Sequence, residues 1–560
     1  MKKNKNICVV AITRLGDMLQ ASPTFAGLKR ENPDSKITVV IDKQFAQICA
    51  GIPGIDEVFV LDLSMVVRCI HRGGDGIVEA YRYVDRMVKD LQEREFDFVL
   101  NMSSSAYTAL LLKMMGAAEN RGWLADDEGF RLITDPWAML FAAFVYHSNR
   151  EYNGLNLVDI FRCAAGVKDH PLHLVYHPTE EERTKGAEIV AAQQLTGKGP
   201  LIGIQAGASQ EKRQWPPSHF AELSRILIEK LDARILFVGS PSEEWIFADV
   251  QKRVPHSNLG SAMGKTTFGE LGAVLEKLDV LITGDTGPMH MAVAVGKPVV
   301  ALFLASALGF ETGPYSAGNF ILQPQIACNP CNPNFPCARP DCHGQITPEL
   351  VAYLAEVRIR TPRGFERDIE LKEEYRSQQD VAIYCTEFDG DGFLRCRLLG
   401  GASARHGEKT AYYDFARAAY RALWKEEFDS IPYRELPPDE DKLELSHPNL
   451  EGIKNAIALT EQGIGLLGEL SALVLDHSGS PHRLAEVSKQ IQEVDTRIEE
   501  IGLSYPLIGA LIRIFLMEKE NLRGDDVLVL ASKTKELYSR LERRGRRFAN
   551  LFSHFERVGT

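Results

Sequence analysis

Residues 278–303, LDVLITGDTGPMHMAVAVGKPVVALF, combine two apolar segments with a polar loop and a helix between them. The pattern predicts a strand over 280–283, a loop with glycine at either end, a helix that opens near Pro288, and a second strand after it. The first N–H groups of a helix lack intrahelical partners, and the helix dipole favours an anion beside them. This segment therefore predicts either a phosphate-binding loop or an ordinary strand–turn–helix capped by Asp285 or Thr286.

A second segment of the same kind lies near the N-terminus. A predicted strand over residues 7–12 is followed by a loop with Arg14, Gly16 and Asp17, and then by an amphipathic helix. Ligands of parallel α/β sheets bind beyond the carboxyl ends of the strands. Two such loops, about 270 residues apart, predict two α/β domains whose strand ends face one cleft. Asp17 taken alone is open to two interpretations, a helix N-cap or a catalytic carboxylate.

Four motifs, taken in order, resemble those of the glycosyltransferase family 9 ADP-heptosyltransferases, which build the inner core of lipopolysaccharide. They are RLGDMLQASPTFAGLK (14–29), QAGASQEKRQWPPSHFAEL (205–223), MGKTTFGEL (263–271) and the segment quoted above. The resemblance extends to about residue 358. It implies the GT-B architecture, in which two Rossmann-like domains face a cleft. It also implies inverting transfer of heptose from a nucleotide-diphosphate donor, ADP-heptose, to a hydroxyl of the lipopolysaccharide core.

The resemblance further implies roles for individual residues. Asp17 matches the general base of the family, and Arg14 lies on the acceptor side. A sugar hydroxyl is a poor nucleophile, so a carboxylate has to take its proton as it attacks. Fixed N–H groups, hydroxyls and cations can stabilise the leaving diphosphate, so we expect no cofactor to be required for catalysis. The donor-binding residues expected on this basis are Ser209, Lys212, Arg213, Glu243, Asp285, Thr286, Gly287 and His290.

Three of these donor-side assignments have alternatives. The family usually has a lysine two residues before the tryptophan; this chain has Arg213 there with Lys212 beside it, so either side chain is a candidate for the donor phosphates. Either Glu243 or Glu244 accepts hydrogen bonds from hydroxyl groups of the donor, or both are acidic residues in the first turn of a helix, where the helix dipole favours them. His290 either donates to phosphate or packs and caps.

Four of the ten cysteines form the pattern C-x2-C-x5-C-x4-C in a loop rich in proline and asparagine. Clustered cysteines in an intracellular chain bind metal more often than they form disulfides, and four thiolates can complete a tetrahedral site. We expect a structural zinc or iron on Cys328, Cys331, Cys337 and Cys342, with His343 as a spare ligand. The alternative is a reduced or partly oxidised loop without metal.

Length and the order of predicted elements indicate three domains. A chain of 560 residues with 45% hydrophobic and 25% charged residues is typical of soluble globular protein but too long for one core. Strands that alternate with helices predict parallel sheets in the first two domains. We expect a Rossmann-like acceptor-side domain over 1–170, a nucleotide-sugar-binding domain over 171–360 that ends in the cysteine cluster, and a mainly helical accessory domain with a short β-hairpin over 361–560.

The resemblance does not extend to the C-terminal region. Two strands are predicted within 381–399, followed by an aromatic-rich helix (412–428), a proline-rich acidic linker (436–441) and several long helices. The last helix carries a basic run whose members are Arg540, Arg543, Arg544, Arg546 and Arg547. That run is either a solvated helix face or a contact for anionic lipid, a phosphorylated glycolipid or an acidic protein. Oligomerisation and acceptor capture are both open as roles of this domain.

Charge and hydropathy limit the partners and the location. A net charge of −12 argues against a general nucleic-acid binder. The first residues show no signal-peptide pattern, and the longest apolar stretch (137–146) is about half as long as a bilayer-crossing helix. We therefore expect a cytoplasmic protein with, at most, peripheral contact with the inner membrane.

Two further interpretations of the function stay open. The cysteine cluster and the long C-terminal addition also agree with transfer of heptose to a protein. A non-catalytic glycan- or nucleotide-binding scaffold on the same fold is a candidate from another class, although Asp17 and the loop of Asp285, Thr286 and Gly287 are both present.

Overall fold

The computed structural model of the protein describes residues 6–145, 148–362, 364–377, 380–400, 407–434, 450–475 and 480–558. They form two compact units. The first comprises Met1–Arg131 and Leu155–Glu408 and is called the α/β unit below. The second comprises Leu132–Gly154 and Lys409–Thr560 and is called the helical unit. The predicted linker at 436–441 lies outside the described residues.

The first sheet has six strands in the order β3-β2-β1-β4-β5-β6, parallel from β3 to β5. Its central strands are runs of β-branched and other apolar residues that are buried on both faces, as in other parallel sheets. The strands are β1 (Asn6–Val10), β2 (Lys36–Asp42), β3 (Glu57–Leu61), β4 (Phe98–Asn101), β5 (Glu119–Ala125) and β6 (Arg131–Ile133). The helices of this part of the chain are α1 (Leu15–Gln20), α2 (Ser22–Glu31), α3 (Leu63–Arg72), α4 (Asp75–Gln92), α5 (Ala106–Met115), α6 (Pro136–Phe144) and α7 (Leu157–Ala164).

The second sheet has eight strands in the order β14-β13-β12-β11-β10-β7-β8-β9. The strands are β7 (Leu201–Gln205), β8 (Arg234–Val238), β9 (Leu259–Ser261), β10 (Val280–Gly284), β11 (Val299–Leu302), β12 (Phe320–Pro324), β13 (Val381–Phe388) and β14 (Leu394–Gly400). The helices are α8 (Glu180–Ala191), α9 (Pro217–Leu231), α10 (Glu244–Arg253), α11 (Phe268–Leu275), α12 (Gly287–Ala294), α13 (Gly309–Thr312), α14 (Cys342–Gln345), α15 (Pro348–Arg360) and α16 (Glu373–Arg376). Both sheets confirm the predicted α/β class.

The predicted hairpin forms, and it extends the second sheet. Strand β13 runs antiparallel to β12, and β14 runs antiparallel to β13. Its turn is held by Asp389 Oδ1, which accepts hydrogen bonds from the N–H groups of Asp391 and Phe393, both at 3.0 Å. A mostly parallel sheet thus ends in an antiparallel edge that comes from well beyond the last motif of the resemblance.

The helical unit contains the long helices predicted near the C-terminus. They are α17 (Gly407–Asp429), α18 (Glu451–Leu475), α19 (Pro481–Ser504), α20 (Gly509–Glu520) and α21 (Val527–Val558). The unit also includes α6, which contains most of the apolar stretch of residues 137–146. Trp137 of α6 meets Phe428 with ring centroids 5.4 Å apart, and Phe144 meets Tyr420 at 5.5 Å. That stretch is therefore apolar because it packs among aromatic rings of α17.

Most of the basic run of α21 is paired with glutamates of neighbouring helices, so the predicted solvated face is wrong for those members. A contact with lipid, a glycolipid or an acidic protein stays a prediction. Arg544 is 3% exposed and bonds Glu518 at 2.9 and 3.0 Å. Arg547 bonds Glu426 at 2.6 Å, and Arg540 also bonds Glu518, at 2.9 Å. The glutamates lie on α17 and α20, so most of the run stabilises contacts between helices.

One described helix, α18, is long and apolar enough to cross a membrane by length and composition, which differs from the prediction that the longest apolar stretch is residues 137–146. Helices α19 and α20, bent by 111° at the break between them, pass the same test only as a pair. Core helices of soluble proteins also pass it. Helix α18 packs against α19 and α21, but only 28% of its apolar window is buried, whereas core helices that pass this test are mostly buried.

We expect Arg544→Ala to destabilise the protein by about 3 kcal/mol, because the mostly buried carboxylate of Glu518 loses both hydrogen bonds from Arg544 and keeps only the one from Arg540 among those described. Arg543→Ala is the matched control, since Arg543 is exposed on the same helix and its loss should change stability by less than about 0.5 kcal/mol. Denaturant unfolding of the full chain, followed by circular dichroism, measures both. Equal stabilities of the two variants would contradict a structural role for Arg544.

Candidate active site

Helix α1, which follows β1, and helix α12, which follows β10, meet at Gly16. A Cβ atom at this position would lie 3.2 Å from Cδ2 of His290 and 3.7 Å from Cα of Gly287. The first distance is shorter than most real Cβ contacts, so glycine lets the first turn of α1 lie directly against the start of α12. The two motifs that are most distant in sequence therefore form one site at the carboxyl ends of two parallel sheets.

Asp17 lies at this junction, in the first turn of α1. The N-cap of α1 is Arg14, so the predicted N-cap role of Asp17 is wrong. Asp17 is the third residue of the helix, and its Oδ2 accepts a hydrogen bond from the N–H of Arg14 at 3.1 Å, as in a capping box. Burial raises the pKa of Asp17 above the usual value; the N–H and the charge of Arg14 act in the opposite direction, and the nearby negative charge of Asp285 adds to the rise. A carboxylate with a raised pKa is a better general base near neutral pH. Arg14 itself is exposed at the start of the helix.

Asp285 links the loops after β7 and β10. Its Oδ2 is paired with the guanidinium of Arg213, and its Oδ1 accepts from the hydroxyl of Thr312 at 3.2 Å. The side chains of the ion pair are 19% and 16% exposed, so one edge of the pair can still be reached by a ligand. Arg213 thus places a partly neutralised cation next to the N-terminus of α12.

Gln205 organises the same loops through its side-chain amide. Its Oε1 accepts from the hydroxyls of Thr283 and Thr286 at 3.1 and 3.0 Å, and its Nε2 donates to the carbonyl of Gly207 at 2.9 Å. The side chain of Thr286 makes no capping hydrogen bond to α12. Pro288 has no N–H and the N–H of Met289 donates to the carbonyl of Thr286 at 3.1 Å, so the first-turn donor left for a ligand is the N–H of Gly287. An anion placed there would meet this N–H and the helix dipole.

Glu243 lies across the ends of β7 and β8. Its Oε2 accepts from the N–H of Ser240 at 2.8 Å, which agrees with the first-turn interpretation. A Cβ at Gly207 would lie 1.8 Å from Oε1, and one at Gly239 would lie 2.3 Å from Oε2. The carboxylate therefore occupies space at the ends of two strands that a side chain at residue 207 or 239 would fill. Glu244, by contrast, is exposed on α10.

His290 is buried at the centre of the site, with 4% of its surface exposed. Burial lowers its pKa to about 4, against the opposite effect of the charge of Asp285. At neutral pH the imidazole is therefore uncharged, and its Nδ1 has no hydrogen-bond partner among the described residues. A neutral ring can donate one hydrogen bond without adding charge. Gly287, also predicted to bind the donor, begins α12 beside it, whereas Ser209 is exposed in the loop after β7.

Lys212 and Arg213 are adjacent in sequence but have different surroundings. The ammonium of Lys212 is buried and donates to the carbonyls of Asn332, Pro333 and Phe335 at 2.9, 3.3 and 2.6 Å. Of the two cations predicted as phosphate ligands, Arg213 contacts the loop that contains Asp285, after β10. Lys212 bonds the loop of residues 328–342, called the cysteine loop below.

The four clustered cysteines differ in exposure. Cys328 and Cys337 are exposed, Cys331 is half-buried and Cys342 is buried. Burial raises the pKa of Cys331 to about 11, and the charges of the other three thiols add to the rise. Four thiols close enough to affect one another suit zinc or iron by their chemistry. In the described part of the chain, however, no three His, Cys, Asp or Glu side chains are drawn together as a ligand set. Nε2 of His343 lies 2.8 Å from the carbonyl of Lys212.

Comparison with known proteins agrees with this geometry. Residues 84–335 match the description "Glycosyltransferase family 9 (heptosyltransferase)". These residues form a family 9 glycosyltransferase domain. The C-terminal region beyond it carries no family assignment.

Individual relatives are distant. The lipooligosaccharide heptosyltransferase 2 of Haemophilus influenzae is 25% identical over 313 residues, which covers 53% of this chain and 83% of the relative. A family 9 glycosyltransferase structure from Veillonella parvula matches with a TM-score of 0.50 and 24% identity, covering 63% of this chain and 97% of that one. The fold is thus GT-B. The iron-containing glycosyltransferase TibC of enterotoxigenic Escherichia coli is 11% identical, and the match covers 64% of this chain and 80% of TibC. Its TM-score of 0.37 is too low to support an inference about iron in this chain.

Two residues of the site were missed from sequence. Gln205 closes the buried strand β7, and its polar side chain at that position was the available signal. Thr312, in the short helix α13, reaches Asp285 from 27 residues away, and no local pattern marks it.

We expect Asp17→Asn to leave ADP binding nearly unchanged and to lower turnover by about 10²–10⁴-fold, because the amide cannot accept the proton of the attacking hydroxyl. In the parent enzyme, kcat/KM should fall as the pH drops through the raised pKa of Asp17, since only the carboxylate is active. The residual activity of the variant should lack this acid limb. Asp127→Asn, at a fully exposed aspartate, is the control. A variant as active as the parent would show that Asp17 only caps α1.

Substitutions of the two neighbouring cations should have different effects. Arg213→Ala should weaken ADP about 10–100-fold and adenosine much less, because the arginine meets phosphate. Lys212→Ala should leave ADP affinity within about threefold and should lower the melting temperature instead, because three carbonyls lose their common donor. Calorimetric titration and thermal unfolding measure the two effects. Equal losses of ADP and adenosine in Arg213→Ala would contradict the phosphate contact.

The cysteine cluster should hold about one equivalent of zinc or iron in protein purified without a histidine tag. The loop contains several prolines and asparagines and few apolar residues, so a metal would supply order that side-chain burial does not. Elemental analysis and thiol titration check this expectation. Less than about a tenth of an equivalent of any transition metal, with all four thiols reactive, would show a metal-free loop.

Proposed function

We propose that this protein is an inverting heptosyltransferase that moves heptose from ADP-heptose to a hydroxyl of a lipopolysaccharide-core acceptor. The observation that carries the proposal is the junction at Gly16, where Asp17 and the Asp285–His290 loop come together. It brings a carboxylate suited to accept a proton next to a helix N-terminus suited to accept a diphosphate.

In the proposed reaction, Asp17 takes the proton of the acceptor hydroxyl as its oxygen attacks the anomeric carbon. The bond from that carbon to the diphosphate oxygen breaks, and ADP leaves with the electron pair. A single displacement needs the base and the leaving group on opposite sides of the carbon, so the product has the anomeric configuration opposite to that of the donor.

The donor side of the site supports the leaving group. Arg213 supplies a cation, and the N–H of Gly287 at the start of α12 supplies an oriented donor. These groups are fixed before the reaction, so they stabilise developing charge without reorganising. We therefore expect ADP to bind without added magnesium. Asp285 is paired with Arg213, so donor phosphate has to share or replace this pair.

Support for the acceptor comes from the relatives, whose names describe lipooligosaccharide and lipopolysaccharide heptosyltransferases. We further propose a cytoplasmic protein that works at the inner face of the membrane. The tip of the α3–α4 hairpin supports this location, because its apolar side chains are about half exposed and basic side chains lie among them. The apolar members are Val67, Ile70, Ile77, Val78 and Tyr81, and the basic ones are Arg68, His71 and Arg72.

Turnover by the purified full chain tests the proposal. ADP-heptose is offered with a lipid-linked core acceptor, released ADP is measured, and the anomeric configuration of the product is read by NMR. ADP-glucose and UDP-glucose are the donor controls. A peptide acceptor tests the alternative of protein O-heptosylation. Transfer to the peptide alone would overturn the proposed acceptor, a product of retained configuration would overturn the mechanism, and binding without turnover of any donor would favour a scaffold.

A further inference from the structure

A cavity of about 610 Å³ lies beside the loop that carries Arg213, within the α/β unit. Its size is in the range of pockets that hold small ligands. The walls come from the start of α9, the start of α10 and the cysteine loop. The lining residues used below are Gln210, Glu211, Gln214, Trp245, Asn334 and Phe335.

Two aromatic side chains of the lining are exposed to an unusual degree. Trp245 is 56% exposed and Phe335 is 67% exposed. Neither ring stacks on another ring within the described residues. Large aromatic side chains are normally mostly buried, because removing their surface from water is favourable. A flat molecule with apolar faces could therefore gain contact area on both rings.

The polar side chains of the lining are also available. Within the described part of the chain, the side chains of Gln210, Glu211, Gln214 and Asn334 make no hydrogen bond or ion pair. Planar amides donate and accept side by side, and a carboxylate accepts. Lys212 borders the same cavity, but its ammonium already donates to three carbonyls.

This combination of rings and polar groups matches one class of ligand. A sugar ring has apolar C–H faces, which pack on aromatic rings, and hydroxyl edges, which both donate and accept hydrogen bonds. The opposite charges of Glu211 and Lys212 offset one another in the lining, so it does not select a charged ligand, and a lipid chain would leave the amides unpaired. We propose that the cavity is a saccharide-binding site for uncharged sugar rings, separate from the site of the transfer reaction.

The cavity shares a wall with the donor site. Gln210, Glu211 and Gln214 belong to the loop that contains Arg213, so a saccharide in the cavity contacts the loop that meets the donor phosphates. That the saccharide is part of the acceptor glycan rests on the proposed function. The binding itself does not, since it needs neither donor nor turnover.

Binding is measured on the full chain without donor, by calorimetric titration with two probes. One is a deacylated, dephosphorylated lipopolysaccharide-core oligosaccharide, and the other is maltotriose, a neutral oligosaccharide unrelated to the core. We expect millimolar or tighter binding of at least one probe. Trp245→Ala and Phe335→Ala should each weaken it about tenfold, while Trp245→Phe should retain most of it. Phe130→Ala is the matched control, since Phe130 is an aromatic residue of the same unit that is 63% exposed and does not line the cavity.

Each outcome decides the proposal. Loss of probe binding in the two cavity variants, with ADP affinity unchanged within about twofold, would support it. Binding of neither probe to the parent protein, or equal binding in all variants, would overturn it. A parallel loss of ADP affinity in Trp245→Ala would show that the cavity holds the nucleoside instead. The folding of each variant is checked by its melting temperature. Failure of the turnover assay with intact probe binding would overturn the proposed function but leave the cavity assignment standing.

Discussion

The close approach of two backbones at Gly16 is the constraint on which the site depends. Helix α1 follows a strand of the first sheet and helix α12 follows a strand of the second sheet. A side chain at residue 16 would push against His290. Because the approach is direct, the charge of Asp285 raises the pKa of Asp17, and burial lowers the pKa of His290 so that its ring stays neutral. The proton acceptor and the anion-binding helix thus acquire their properties from one contact.

The loops around this contact are held by groups that also have chemical uses. Gln205 fixes both threonines of the β10 loop, and Asp285 is fixed by Arg213 and Thr312. Fixed polar groups keep their orientation when charge develops, which is the condition for electrostatic stabilisation of a leaving group. The neighbouring Lys212 extends this support away from the reaction, to the cysteine loop.

Sequence patterns predicted most of the α/β elements, because strand, loop and helix signals are local. The metal site expected on the four clustered cysteines stays a prediction. Lys212 and Arg213 show the limit of such reasoning: their spacing to Trp215 made them equivalent candidates, and only packing shows which one meets the Asp285 loop. The arginines of α21 show the same limit, since their glutamate partners lie up to 121 residues away. The packing of α6 against the C-terminal helices could not be predicted from the sequence either, because an apolar pattern does not indicate which surface a helix covers.

The position of α6 has a consequence for the order in which the chain can mature. A ribosome releases Trp137 long before Phe428, its partner in the helical unit. During that interval, synthesis proceeds through the whole second sheet while the apolar face of α6 has no permanent partner. Exposed apolar surface of this kind is what chaperones bind and what drives aggregation of incomplete chains. The C-terminal helices are therefore made after α6, with the second sheet between them, and a chain that stops before them would keep the apolar face of α6 exposed.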